Sequence, residues 1–437
     1  MRGRNSSMAT PLRICVLCLI FCVFQWCCGE QPPNYTFVRE ASDVSPLREA
    51  FDYIIVGGGT AGCPLAATLS SKYRVLVLER GGVPYGNPNI TRLENFPRTL
   101  ADDRPDSPAQ RFISTDGVIS SRARVLGGSS CLNAGFYTRA SPEYVARLGW
   151  NGTLVNESYP WVEAVVAHVP IVREWQSAVR SGLLEVGILP DNGETYDHII
   201  GTKVGGSIFD NDGNRHTAAD LLQYADPQNI LVLIHANVHR ILFRTRGMRR
   251  PRAYGVAYTD SRGSIHRAYL SRRTSRSEII LSAGALGSPQ LMMLSGIGPA
   301  DHLQSFNIPV LSDNSEVGAG MADNPMNAVF VPSPNPTEIS LIEVVGITSF
   351  GSFIECSSGF TGNGLAANSS EVFLGIMSPQ RDRSIITHNP CLGIANRYPI
   401  IEPTCITDCY YTYFYGLYYR LCRKLRSMLK GMFYTII

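Results

Sequence analysis

The sequence predicts an α/β fold built on a Rossmann-like dinucleotide-binding unit, and three stretches carry the prediction. First, the β-branched run Asp52 to Val56 leads directly into Gly57-x-Gly59-x-x-Gly62. Second, a small-residue helix, Cys63 to Leu69, is followed by an apolar run, Val75 to Leu78, that ends at Glu79. Third, far along the chain, Glu278 to Leu281 forms another apolar run that enters a glycine turn at Gly284. A glycine pattern alone is weak, but strand, turn, helix and strand in this order make it a dinucleotide-binding signal.

Each element has a physical role. Gly57 permits the tight turn, Gly59 lets a pyrophosphate approach the backbone, and Gly62 lets the helix pack on the strand. The helix N-terminus offers free N–H groups and a positive dipole end to phosphate. Glu79, about 20 residues on, is placed to accept hydrogen bonds from a ribose hydroxyl.

Gly81 to Pro108 is rich in Pro, Asn, Asp and Arg and reads as a long irregular loop. A second glycine stretch follows, Arg124 to Tyr137, in which Gly127, Gly128, Ser129 and Ser130 stand in succession. Such residues let a backbone come close to a flat or charged ligand. Glu174 to Ile188 has the period of an amphipathic helix, with Trp175, Ala178, Val179, Leu183 and Val186 near one face. Gly201 to Phe209 and Arg215 to Leu222 show no clear period. Leu231 to Ile234 is a short strand. Val238 to Phe243, Ala253 to Tyr258 and Ile265 to Leu270 are expected to pair, the last two across a turn at Asp260 to Gly263. Ser288-Pro289 suits a helix start, with Gly296 as its stop.

Composition bounds the class. The 437 residues are 44% apolar and 17% charged, so the chain is globular with a large core. The net charge of +3 hides an acidic body: Arg2, Arg4, Arg13, Arg420, Arg423, Lys424, Arg426 and Lys430 all lie near the two ends. This gives no reason to expect a nucleic-acid partner. Arginines before the apolar run Ile14 to Phe24 read as a secretory signal, with its cleavage region around Trp26 to Glu30. The sequons at Asn34, Asn89, Asn151, Asn156 and Asn368 agree with a secreted glycoprotein. Cys63 and Cys131 sit beside glycine turns and read as buried small residues. Cys405-x-x-x-Cys409 lacks a second ligand pair, so no metal site is expected. A serine hydrolase is excluded because no G-x-S-x-G elbow is present.

Together the stretches resemble the glucose–methanol–choline oxidoreductases, a family of FAD flavoproteins, and within it the plant Hothead and mandelonitrile lyase group. The resemblance rests on GGGTAG at Gly57 to Gly62 with Glu79, on ARVLGGSSCLNAGFYTRA at Ala123 to Ala140, and on GALGSPQLMMLSGIG at Gly284 to Gly298. It covers about Ala50 to Gly359. The glycine motif alone leaves NAD open; the two signatures select FAD.

The resemblance implies a Rossmann-like FAD-binding domain interleaved with an α+β substrate domain. The expected division is 1–29 as signal, 50–160 and 215–330 as FAD domain, 161–214 and 331–360 as substrate domain, and 361–437 as an atypical tail. It further implies that Gly57, Gly59, Thr60, Ala61 and Gly62 hold the pyrophosphate and Glu79 the adenosine ribose. Val125, Gly128 and Ser129 would pass close to the flavin. Asn133, Ala134, Gly135 and Phe136 would line the isoalloxazine pocket, and Val238 would meet the adenine. Val317 to Asn324 resembles a later segment of the FAD domain.

The implied activity is oxidation of an alcohol to a carbonyl with hydride passing to the flavin, on a small-molecule alcohol or cyanohydrin. A hydroxynitrile lyase with redox-silent FAD and a catalytically inactive FAD-binding protein are the alternatives. The family's histidine-bearing C-terminal block is not matched, and His388-Asn389-Pro390 has the wrong flanks, so no catalytic residue is assigned. The aromatic, basic stretch Cys409 to Phe433 reads either as a membrane-surface segment or as an end outside the family pattern. The second reading is favoured, because the unmatched block should complete the substrate wall.

Overall fold

The computed structural model describes residues 33–114, 119–248, 250–272, 277–320, 326–332, 336–360 and 367–377. The signal sequence, the His388 fragment and the aromatic tail lie outside them. At its centre is a five-stranded, all-parallel sheet. Its strands run, in spatial order, Val38–Glu40, Ile230–Ile234, Val75–Leu78, Tyr53–Val56 and Glu278–Leu281. Sequence-distant strands meet side by side here.

Residue alternation explains the layering. Ile54, Val56, Leu76 and Leu78 face one way, onto Val256, Tyr258 and Ala268. Ile55, Val75 and Val77 face the other way, onto Cys63 and Ala66. The second set is covered by the helix Gly62–Ser70, whose buried residues Cys63, Ala66, Ala67 and Ser70 make one stripe. Its small side chains let the helix lie close to the sheet. The first set is covered by a four-stranded sheet, in which Asn237–Arg244, Arg252–Thr259 and Ile265–Leu270 pair antiparallel and Ala50–Phe51 adds a parallel edge. Asp260 closes the expected turn by accepting from the N–H groups of Arg262 and Ser264. Each fully buried Ile or Leu in these layers contributes roughly 2 kcal/mol.

A six-stranded sheet stands apart in topology, ordered Met326–Pro332, Ala367–Met377, Phe353–Phe360, Val344–Ile347, Gly201–Val204 and Asp191–Glu194. Part of the segment expected as an atypical tail therefore forms a strand, Ala367–Met377, paired on both sides. The helix Glu174–Glu185 packs on one face of this sheet. It ends earlier than its pattern predicts, with Val186 as the cap. Gln176 fixes it: fully buried, its Nε2 donates to Ser340 Oγ and to the carbonyls of Leu341 and Cys356, while its Oε1 accepts from Val344 N.

Two local expectations are corrected. Gly81 to Pro108 is not irregular: it contains the short helices Pro88–Thr91 and Phe96–Ala101, the first capped by the Asn87 side chain and each with Pro in its first turn. The helix expected to begin at Ser288 begins at Gly284 and carries Pro289 inside. The Ser288 hydroxyl accepts from Ala283 N–H at 3.1 Å, which holds this early turn together.

Candidate functional site

The parallel strand Tyr53–Val56 delivers its chain into the first glycine loop. Gly57 takes φ +101°, a conformation other residues rarely adopt. A Cβ on Gly62 would overlap the Gly57 carbonyl oxygen, so this helix start tolerates only glycine. The helix N-cap, Ala61, offers no side-chain cap; Cys63 N–H donates to Gly59 O at 3.0 Å and Pro64 has no N–H, so the donor at this helix mouth is that of Gly62.

The second glycine stretch closes over the first. Gly127 N donates to Gly58 O at 2.7 Å, and Thr60 Oγ1 donates to Gly127 O at 3.4 Å. A Cβ on Gly128, at φ +63°, would stand 2.7 Å from the Gly59 Cα. A Cβ on Gly59 would meet nothing nearer than Gly128 Cα at 3.6 Å. Gly128 is therefore needed for loop-on-loop contact, whereas space remains beside Gly59. Val125 is buried and bridges in parallel to Gly82, joining the second stretch to the end of the Val75–Leu78 strand. Ser129 lies in a 3-10 turn, Gly128–Cys131, and its carbonyl accepts from Leu132 N and Asn133 N.

Glu79 is buried between these loops. Its Oε2 accepts from Gly58 N at 2.9 Å and its Oε1 from Gly81 N at 2.8 Å. Burial pushes its carboxyl up against the pull of these two donors. Each oxygen keeps a second lone pair, so a ribose contact remains available beside the structural one. Val238 lies on the neighbouring antiparallel sheet, packed on the Ile54–Leu78 core face. Its approach is set by Ala236 N donating to Glu79 O at 2.8 Å.

Asn133 is more occupied than its sequence suggests. Its Oδ1 accepts from Gly135 N at 3.1 Å and from Arg215 Nη1 at 3.2 Å. Ala134 packs against the cluster of Ile208 and Phe209. Gly135, at φ +82°, lies where a Cβ would meet the Phe209 ring at 2.6 Å. Phe136 begins a two-residue strand paired with Gly206–Ser207. Its ring lies edge-on to Phe353, with centroids 5.8 Å apart, and 5.6 Å from Lys203 Nζ.

Sequence reasoning missed Arg215. It is 3% exposed, and it donates to the carbonyls of Ile90, Ser130 and Asn133 while lying over the Phe209 ring at 4.3 Å. Burial pushes its guanidinium down to about 10, still charged at neutral pH. An arginine this far along the chain from the glycine stretches gives no local hint, since its partners are backbone oxygens of distant segments. Lys203 was also missed: fully buried, its Nζ donates to Thr138 Oγ1 at 2.9 Å and to Asp197 O at 2.6 Å. Val317 is buried and Gly318 takes φ +79°; residues 321–324 of that stretch lie outside the described residues.

The arrangement fits FAD. The uncapped helix start at Gly62, a Gly59 whose Cα side meets only ordinary contacts, and a second loop closed onto the first suit a dinucleotide diphosphate. Among the described residues no group of three metal-ligating side chains occurs, and no helix is long and apolar enough to cross a membrane. Cys63 and Cys131 are buried free thiols, as expected, and burial pushes the Cys131 thiol up to about 12.

Comparison with known proteins agrees with this geometry. The chain is 54% identical to Protein HOTHEAD of Arabidopsis thaliana, over 80% of its own length and 62% of that protein. It is 49% identical to sinalpyl alcohol oxidase Nec3 of Nesocodon mauritianus, over 76% of the chain and 60% of that protein. It is 44% identical to (R)-mandelonitrile lyase 3 of Prunus serotina, over 82% and 62%. The chain thus spans about three fifths of the length of these curated relatives. Among solved structures, pyridoxine 4-oxidase from Mesorbium loti superposes with a TM-score of 0.57 at 24% identity, covering 75% of this chain and 72% of that one. A formate oxidase shares the fold with a TM-score of 0.60 at 17% identity, over 76% and 73%. The family model for GMC oxidoreductase matches residues 51–326, which takes in both glycine loops, and the chain belongs to that family.

Proposed function

We propose that the protein is an FAD-dependent oxidoreductase of CH–OH groups, acting on a small alcohol. The closure of the Arg124 to Tyr137 stretch onto the Gly57–Gly62 loop carries this reading, because it builds a diphosphate cradle and an aromatic wall from one segment. Bound FAD supplies the hydride acceptor. The chain's part is to hold and orient. The first turn of the helix Gly62–Ser70 faces the diphosphate, Glu79 braces the loop and reaches the ribose, and Gly128 with Ser129 flanks the flavin. Phe136 gives the ring system an apolar border and excludes water beside it. In this reading 50–160 and 215–330 form the FAD domain, and the six-stranded sheet with its helix belongs to the substrate domain.

The alternative is a hydroxynitrile lyase that keeps FAD without net redox chemistry. It is favoured by the 44% identity to (R)-mandelonitrile lyase 3 of Prunus serotina. Export through the secretory pathway is supported by the basic and apolar pattern of residues 1–29. The test is the visible spectrum of the purified protein, followed by anaerobic addition of benzyl alcohol and of mandelonitrile. Flavin absorbance that bleaches with the alcohol supports the oxidoreductase; benzaldehyde and cyanide release without bleaching supports the lyase. A colourless protein that takes up no added FAD overturns both.

A further inference from the structure

The face of the six-stranded sheet opposite its helix carries an unassigned polar group. The register fixes which residues share that face. Gly346 pairs with Thr202 and Ile354, and a Cβ on Gly346 would meet Leu183 and Ile188 of the helix side. Thr202 agrees, since its hydroxyl donates to Ile188 O. Neighbours one position along point the other way. Lys203, Val345 and Glu355 therefore form a row across three adjacent strands, and Phe353 stands two residues from Glu355 on the same face. This is the face on which Phe136 docks, through Phe353 and Lys203.

Glu355 is 8% exposed. Among the described residues its carboxyl makes no hydrogen bond or ion pair. Its oxygens are not fully enclosed. Lys203, two strands away in the same row, is committed to Thr138 and Asp197. On the other side Glu355 pairs with Gly375. An unpaired buried carboxyl costs stability and is kept where a ligand satisfies it. Burial alone pushes it up to about 7, with no cation offsetting it.

We propose that Glu355 is the specificity-determining anchor of the substrate cavity, accepting a hydrogen bond from a second, phenolic hydroxyl of an aryl alcohol whose ring lies against Phe136 and Phe353. The aromatic edges suit a flat substrate body. The carboxyl gives discrimination, because a site built to bond a hydroxyl rejects the analogue that lacks it. The proposal rests on the alcohol-oxidoreductase reading.

The test uses the flavin-loaded full chain under anaerobic conditions, with binding read from the perturbation of the flavin spectrum. The probes are benzyl alcohol, 3-hydroxybenzyl alcohol and 4-hydroxybenzyl alcohol. The wild-type protein should bind one of the phenolic probes about tenfold tighter than benzyl alcohol. Glu355→Leu should abolish that preference while leaving benzyl alcohol affinity within about twofold, and its melting temperature should rise. Glu355→Gln, which keeps one acceptor and the side-chain shape, should retain part of the preference and serves if the leucine variant does not fold. A purely structural glutamate would lower the melting temperature when replaced and leave the preference intact; that result overturns the proposal but not the parent reading. A wild-type preference of unity overturns it as well. If no alcohol perturbs the wild-type flavin, both the proposal and the parent reading fall.

Discussion

Arg215 Nη1 lies 2.8 Å from the carbonyl oxygen of Asn133, a bond that spans 82 residues of sequence. The same nitrogen also bonds Ser130 O at 3.0 Å, and Nε bonds Ile90 O at 2.9 Å. One buried cation thus sets the path of the second glycine stretch. Replacing it by alanine leaves these carbonyls without their donor, at a cost of roughly 3 kcal/mol. Arg215→Ala is expected to melt several degrees lower and to bind FAD weakly. Arg215→Lys keeps the charge but not the fork, and should fall between. Calorimetry and flavin content per chain check both.

The two glycines at the mouth of the first helix should separate by mutation. Gly62→Ala drives a methyl into the Gly57 carbonyl and should destabilise the loop itself. Gly59→Ala meets only ordinary contact, with its nearest neighbour at 3.6 Å, so its melting temperature without flavin should stay within about 2 °C of wild type. Its FAD affinity should nevertheless fall by at least about tenfold, since the methyl occupies the space of the diphosphate. A Gly59→Ala protein that binds FAD normally would place the diphosphate elsewhere.

Gln176 ties the helix Glu174–Glu185 to the six-stranded sheet through four hydrogen bonds. Gln176→Leu has similar volume but strands buried carbonyls and the Val344 N–H. We expect a loss of roughly 3 kcal/mol in denaturant unfolding. The flavin cradle lies in other elements, so flavin content at low temperature should be unchanged.

Stability should fall as pH rises from about 4.5 to about 7. Burial pushes the carboxyls of Glu343 and Glu355 each up to about 7. Over that window the folded chain holds protons that the unfolded chain has released, so raising pH favours unfolding. The contribution is complete below the unfolded value and is lost as pH passes the folded one. The slope is at most about 1.4 kcal/mol per pH unit for each group. Glu163 and Asp191, held low by arginine partners, act in the opposite sense in more acidic solution, and His168 and His198, whose rings burial pushes down, oppose the decline toward the top of the window. Melting temperatures from pH 4.5 to 8 should show the decline, and Glu355→Gln should make it shallower. A Glu355→Gln profile with the same slope as the wild type would contradict it.

What could be read from the sequence depended on how local its cause was. Gly57, Gly59 and Gly62 were legible because strand, turn and helix follow one another within a few residues. The three antiparallel strands were legible from alternation and a turn at Asp260. Arg215 was not legible, because its partners are backbone oxygens contributed by distant segments. Gln176 was hidden in a helix read for its apolar residues, although its position one turn before Val179 and two before Leu183 put a polar group on the buried face. Asn133 was legible as a polar residue in the right stretch, but its Oδ1 is spent on Gly135 and Arg215, which only the folded chain reveals. The strand Ala367–Met377 was missed because its pairing partners, not a motif, define it.

The order of strands in the parallel sheet has a consequence for how the chain is made. The first glycine loop is held from outside by Ser282, whose hydroxyl donates to Gly57 O at 2.8 Å from 225 positions away. Until Glu278–Leu281 emerges from the ribosome, the strand Tyr53–Val56 presents an open, apolar edge. Pairing over such distances is slow and leaves nascent chains prone to association. Synthesis of this protein is therefore expected to depend on chaperones that occupy that edge, and the cradle for the cofactor closes only near the end of translation of its third signature stretch.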